Sequence, residues 1–113
     1  MTSKMQTGSD GEGVAAEYLL KKGYQVVERN YKYRHLEVDL IVRKENWLVF
    51  VEVKTRSKSD FGFPEEFVDS KKKSNVLRLA NHYIYNINWK GNVRFDIISV
   101  LQGTVTHFED AFY

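Results

Sequence analysis

The stretch LEVDLIVRKENWLVFVEVKTR, Leu36 to Arg56, decides how this chain folds. Its two halves, LEVDLIVR and WLVFVEVKTR, are rich in β-branched and aromatic residues and read as sheet strands. Lys44, Glu45 and Asn46 mark a turn between them, so the strands form a hairpin. A strand sends alternate side chains to one face. Glu52, Lys54 and Arg56 therefore share one side of a strand that otherwise reads as core.

A two- or four-residue turn around Glu45 and Asn46 gives the same pairing. The four-residue form, Lys44 to Trp47 between Arg43 and Leu48, is preferred, because Glu-Asn is a weak two-residue turn signal. Asp39 then falls opposite Glu52, and Glu37 opposite Lys54. Facing carboxylates repel, and burying either one unpaired is costly. A hard divalent cation between them resolves the conflict. Mg²⁺ takes oxygen ligands in octahedral geometry and keeps several waters. Asp39 and Glu52 would each supply one oxygen and the carbonyl of Val53 a third. Lys54, one strand step on, would orient a metal-activated water or stabilise developing negative charge. The plainer reading is a structural salt-bridge cluster. A three-residue turn or a bulge would send the two acids to opposite faces.

Outward from the hairpin, SDGEGVAAEYLLKKG reads as a helix with Val14, Ala15, Tyr18 and Leu19 on its apolar stripe and Gly23 as its stop. Ser9 and Glu12 have capping-box spacing. Glu12 also shares a face with Ala15, Ala16 and Leu19, so it is equally a candidate to lean toward the sheet. A strand follows over about Tyr24 to Tyr33. After the hairpin, SKSDFGFPEE, with the only proline, reads as a loop. A second helix is expected from Asp69 or Ser70 to Asn86, with Val76, Leu77, Ala80, Tyr83, Ile84 and Ile87 as its apolar face. NVRFDIISVL is a fourth strand, and TVTHFEDAF adds a short fifth. The order α-β-β-β-α-β defines an α/β class, a mixed β-sheet flanked by helices.

The 113 residues suit one domain, taken as 9–113 behind a loose terminus over 1–8. The absence of cysteine removes disulfides, thiol nucleophiles and sulfur-bound zinc from consideration. No segment approaches the roughly 18–20 apolar residues of a membrane span. Met1 to Ser9 is polar and lacks a signal-peptide core, so a cytoplasmic location and no membrane partner are expected. A net charge of +2 permits a nucleic-acid partner without requiring one.

An acid on one strand followed by Glu-x-Lys on the next, here Asp39 and then Glu52-Val53-Lys54, resembles the core motif of the PD-(D/E)XK nuclease superfamily. Val38 stands where the textual motif has proline. EYLLKKGYQVVERN, LEVDLI, VFVEVKTR, FGFPEEFV and RFDIISV together resemble the YraN-like family of small bacterial proteins, from about Gly8 to Leu101. That family is similar to Holliday-junction-resolvase-type nucleases. The resemblance implies a restriction-endonuclease-like core of order αβββαβ, Mg²⁺ or Mn²⁺ as cofactor, and endonucleolytic hydrolysis of DNA, branched or damaged. It assigns Asp39, Glu52 and Lys54 to the superfamily triad and Glu12 to an acidic helix position near the metal. It also allows a homodimer. Leu36 replaces the family's usual glycine before Glu37, and Gly11 its usual alanine before Glu12.

Arg56, Lys58, Lys71 and Lys72 are candidates for a phosphate track. The last two open the second helix, whose positive dipole end favours anions. Solvated charge is the alternative, preferred for Lys73. Arg94 and Asp96 read as a structural ion pair, and His35, His82 and His107 as ordinary side chains. The alternative to an enzyme is a catalytically silent nucleic-acid-binding or protein-interaction module on the same fold.

Overall fold

The computed structural model describes residues 6–56 and 70–112. The elements run α1 (Gln6–Lys21), β1 (Gln25–Tyr33), β2 (Leu36–Lys44), β3 (Trp47–Arg56), α2 (Ser70–Ile87), β4 (Asn92–Leu101) and β5 (Thr104–Phe108). The start of the expected loose terminus and the expected loop with Lys58, Gly62 and Pro64 lie outside the described residues. So does the side chain of Arg56.

The five strands lie in sequence order, β1-β2-β3-β4-β5. Neighbours are antiparallel except β3 and β4, which run parallel. A parallel pair needs a crossover, and α2 lies within it. Period-two alternation gives the sheet two apolar faces, each covered by one helix. Leu48, Phe50, Phe95 and Ile97 pack with Val76, Leu79, Ala80 and Tyr83 of α2. Val49, Val51 and Ile98 pack with Ala15, Ala16 and Leu19 of α1. The result is a mixed five-stranded sheet between two helices, as the sequence predicts.

The β2–β3 register is the predicted one, from Lys44↔Trp47 to Leu40↔Val51. The loop is the two-residue form, not the preferred four-residue one. Glu45 accepts a left-handed backbone, φ 55°, which lets Lys44 and Trp47 pair. On α2, Leu79 is buried where Ile87 was expected; Ile87 is 43% exposed because the helix ends there. Both helices close in the same way. Gly23 and Asn88 take left-handed φ, and the next amide bonds back five residues, Tyr24 N to Leu19 O and Trp89 N to Ile84 O.

α1 starts at Gln6 and contains Ser9, so the expected N-cap position falls inside the helix. Gly11, a weak helix former, sits within α1 for a packing reason. A Cβ there would meet Thr55 Oγ1, so the bare backbone lets α1 lie directly on β3. Packing overrides propensity. Gly11→Ala gains about 1 kcal/mol of helix propensity but forces an overpacking cost of about 1–3 kcal/mol. Urea unfolding should show net destabilisation, relieved when Thr55→Ala is added. A more stable single variant would mean that the helix does not bear on β3.

Candidate metal centre

The candidate acids gather where the sheet opens. The β2–β3 ladder ends at Leu40↔Val51, one step before Asp39 and Glu52 would pair. There the carboxylate of Asp39 takes over from the backbone: Oδ2 accepts the amide of Val53 at 2.8 Å. The amide and carbonyl of one strand residue face the same neighbour, so the Val53 carbonyl is also turned to this gap. Asp39 and Glu52 are thus brought together, though not as facing ladder partners.

Alternation with Leu48 and Phe50 puts Glu52 on the α2 side, where it is 3% exposed. Its Oε2 has no hydrogen bond among the described residues and lies 3.5 Å from Lys72 Nζ of α2. Burial, then the charge of Asp39, push the Glu52 carboxyl up to about 8; Lys72 and Lys54 oppose this. Glu12 reaches the gap from α1. Its carboxyl is raised by burial, then by Asp39, while a hydrogen bond from Asn30 works the other way. Glu37 adds a smaller repulsion.

This donor set fits a hard cation. A buried carboxylate oxygen without a hydrogen bond, a second carboxylate and a backbone carbonyl border one gap, and like charges there raise each other's proton affinity. Among the described residues no three His, Cys, Asp or Glu side chains form a metal cage by themselves. The remaining positions would fall to water or substrate oxygen, as is usual for Mg²⁺.

Lys54 follows Glu52 on the same strand face. Lys71 is exposed on the first turn of α2, whereas Lys72 leans onto Glu52. Asn30 is the residue that sequence reasoning missed. Its signal was only that Asn tolerates left-handed backbone better than most residues.

A second polar cluster occupies the α1 face of β4. Asp96, 0% exposed, accepts Arg94 Nε and Nη2 at 2.9 and 2.8 Å, the amide of Asp110 at 2.9 Å, and pairs with His107 Nε2 at 2.7 Å. Burial pushes the Asp96 carboxyl up, but the bonds from His107, Arg94 and Asp110 outweigh it and hold it below its ordinary value. The Arg94–Asp96 ion pair agrees with the sequence reading. His107 does not: it is a buried partner, with Tyr18 OH 3.3 Å from its other ring nitrogen.

A mixed sheet with a helix on each face, acids converging where two strands part, and a lysine beside them form an arrangement compatible with a restriction-endonuclease-like fold. The chain belongs to Uncharacterised protein family UPF0102, whose profile matches residues 11–100. A UPF0102 protein of Flavobacterium psychrophilum is 42% identical over 117 residues, covering 100% of this chain and 98% of that one. One from Caldanaerobacter subterraneus is 48% identical over 99 residues, 87% of this chain and 81% of the relative. The solved structure of Pyrococcus furiosus SfsA in complex with Ca²⁺ aligns with TM-score 0.35 and 11% identity over 95% of this chain and 63% of that one. A likeness so distant bears on neither fold nor chemistry. No helix among the described residues is long and apolar enough to cross a membrane.

Proposed function

We propose that this protein is a Mg²⁺- or Mn²⁺-dependent endonuclease that hydrolyses phosphodiester bonds in DNA, on branched or damaged substrates. The observation that carries the reading is the buried Glu52 carboxylate, with an oxygen lacking a hydrogen bond, set against Asp39 at a break in the sheet. Asp39, Glu52 and the Val53 carbonyl would hold the ion. A bound divalent ion lowers the pKa of its water and screens charge on the phosphoryl group. Lys54 orients the attacking water or stabilises the negative charge that develops on the phosphate. Glu12 supports the metal shell from α1. Arg56, Lys71 and Lys72 are assigned to the DNA backbone, whose contacts position without reading sequence. For Lys72 this requires release from Glu52. A homodimer would present two such sites to one branched duplex.

One observation favours a second reading. The Lys72 ammonium already sits against Glu52, as a catalytically silent nucleic-acid-binding module would allow. Linear, flapped and four-way-junction DNA incubated with the protein and Mn²⁺, with and without chelator, separates the two. Cutting that needs the metal and disappears in Glu52→Ala supports the nuclease. Retention without cutting supports the silent binder, and neither cutting nor retention overturns both.

A further inference from the structure

Beyond the β1 bulge between Val26 and Glu28, β1 and β2 change face together at one step. In β1 and β2, Arg29 pairs with Leu40 and Tyr31 with Val38, so Asn30 and Asp39 occupy the step between. Leu40 packs in the α1 core and Val38 in the α2 core. Residues two apart on a regular strand share a face; these do not. The neighbours repeat the pattern. Val42 lies on the α1 side with Leu40, whereas Leu36 lies on the α2 side with Val38. In β1, Tyr31 and Tyr33 pack on the α2 core, and Glu28, three residues before Tyr31, pairs with Ile41 of that same core. One alternation has been lost from each strand at the same level. The backbone cause is on the β1 side, where Asn30 has φ 50° in the middle of a strand. Left-handed backbone is strained for most residues with a Cβ and less so for Asn.

We propose that Asn30 is the positioning residue of the Asp39–Glu52 gap. Its left-handed backbone makes the paired kink that turns Asp39 off both sheet faces and into the opening beside Val53. A regular β1 would carry a regular β2, and Asp39 would then lie on one face of the sheet. Its bond to the Val53 amide would not form. The Asn30 side chain, whose hydrogen bonding opposes the rise of the Glu12 carboxyl, would tie the third acid to the kink as well. The functional consequence rests on the metal reading above; the structural claim does not.

Hydrogen exchange at the Val53 amide reports the placement of Asp39 without any metal. In Asn30→Gly, which accepts left-handed φ freely, Val53 should stay as protected as in the wild type. In Asn30→Ala it should lose protection by about tenfold or more while the amides of Phe50 and Ile97 keep theirs. Wild-type protection of Val53 in folded Asn30→Ala overturns the proposal. Should that variant not fold, Glu12→Gln in the natural chain provides the second measurement. The side-chain amide resonances of Asn30 should move, and unmoved resonances overturn the tie to Glu12. Mn²⁺ titration then tests the consequence. Asn30→Gly should bind about 10-fold more weakly, as loss of a ligand-orienting partner does, and its loss combined with Glu12→Gln should be less than the sum of the two. Separate, additive losses would overturn the tie. A wild type that takes up no Mn²⁺, with Val53 behaving as described, counts against the metal reading and not against Asn30.

Discussion

With Glu52 replaced by glutamine, the protein should be more stable than the wild type at about pH 9 and should bind no Mn²⁺. The sign follows from the raised carboxyl of Glu52, about 8 in the folded chain against an ordinary value of 4.5. The folded state holds this proton more tightly than the unfolded state does. Stability from the neutral form is therefore complete below about 4.5 and is lost as pH rises through about 8. Glutamine keeps the neutral shape at every pH, so the variant escapes that loss. The difference at alkaline pH is on the order of a few kcal/mol, and it should nearly vanish at about pH 4. Urea unfolding at both pH values checks it, and a wild type as stable as the variant at about pH 9 would show that ionised Glu52 costs nothing. Metal binding runs the other way. A cation must displace the Glu52 proton, so wild-type Mn²⁺ affinity should climb about tenfold per pH unit toward about 8 and then level off. Any DNA cutting should fall by at least about 10²-fold in the variant.

The largest loss of stability should come from Arg94→Ala. Arg94 bonds both oxygens of the buried Asp96 and also donates to Tyr24 OH at 2.6 Å. Without it a carboxylate with no exposure keeps only His107 and the Asp110 amide. Breaking a buried pair by removing one partner costs about 3–5 kcal/mol. Arg94→Lys should recover only part of this, because an ammonium cannot span the two carboxylate oxygens and the phenol as a planar fork does. Chemical unfolding of both variants provides the measurement. A cost under about 1 kcal/mol, the range of exposed pairs, would mean that Asp96 is solvated. Since the folded chain lowers the Asp96 carboxyl, its contribution holds above the ordinary carboxylate range and fades as acid protonates it.

The hairpin was legible in the sequence because period-two alternation leaves few registers that keep Phe50 and Val51 both buried. That same register placed Asp39 near Glu52. It could not say how they meet, since the ladder stops at Leu40 and a side chain replaces the backbone at Val53. The spacing of Ser9 to Glu12 imitates a cap, but the helix starts three residues earlier, at Gln6. What favours glycine at position 11 is the close approach of α1 to Thr55, a residue far away in sequence. The buried role of His107 and the contact of Lys72 with Glu52 were not legible either. The β4–β5 hairpin brings His107 to Asp96, and the crossing of α2 brings Lys72 to Glu52; neither contact shows in the residues around it.

Strand order that follows chain order also shapes how the molecule assembles. β1, β2 and β3 form a meander and β4 and β5 a hairpin, both built from short-range contacts; loop-closure entropy falls mainly on docking β4 beside β3. Glu12, Asn30, Asp39, Glu52 and Lys54 all precede that docking in the chain. The N-terminal half thus carries the acids, and the C-terminal half supplies the buttress: α2 covering one face and the Asp96 clamp fastening the far edge.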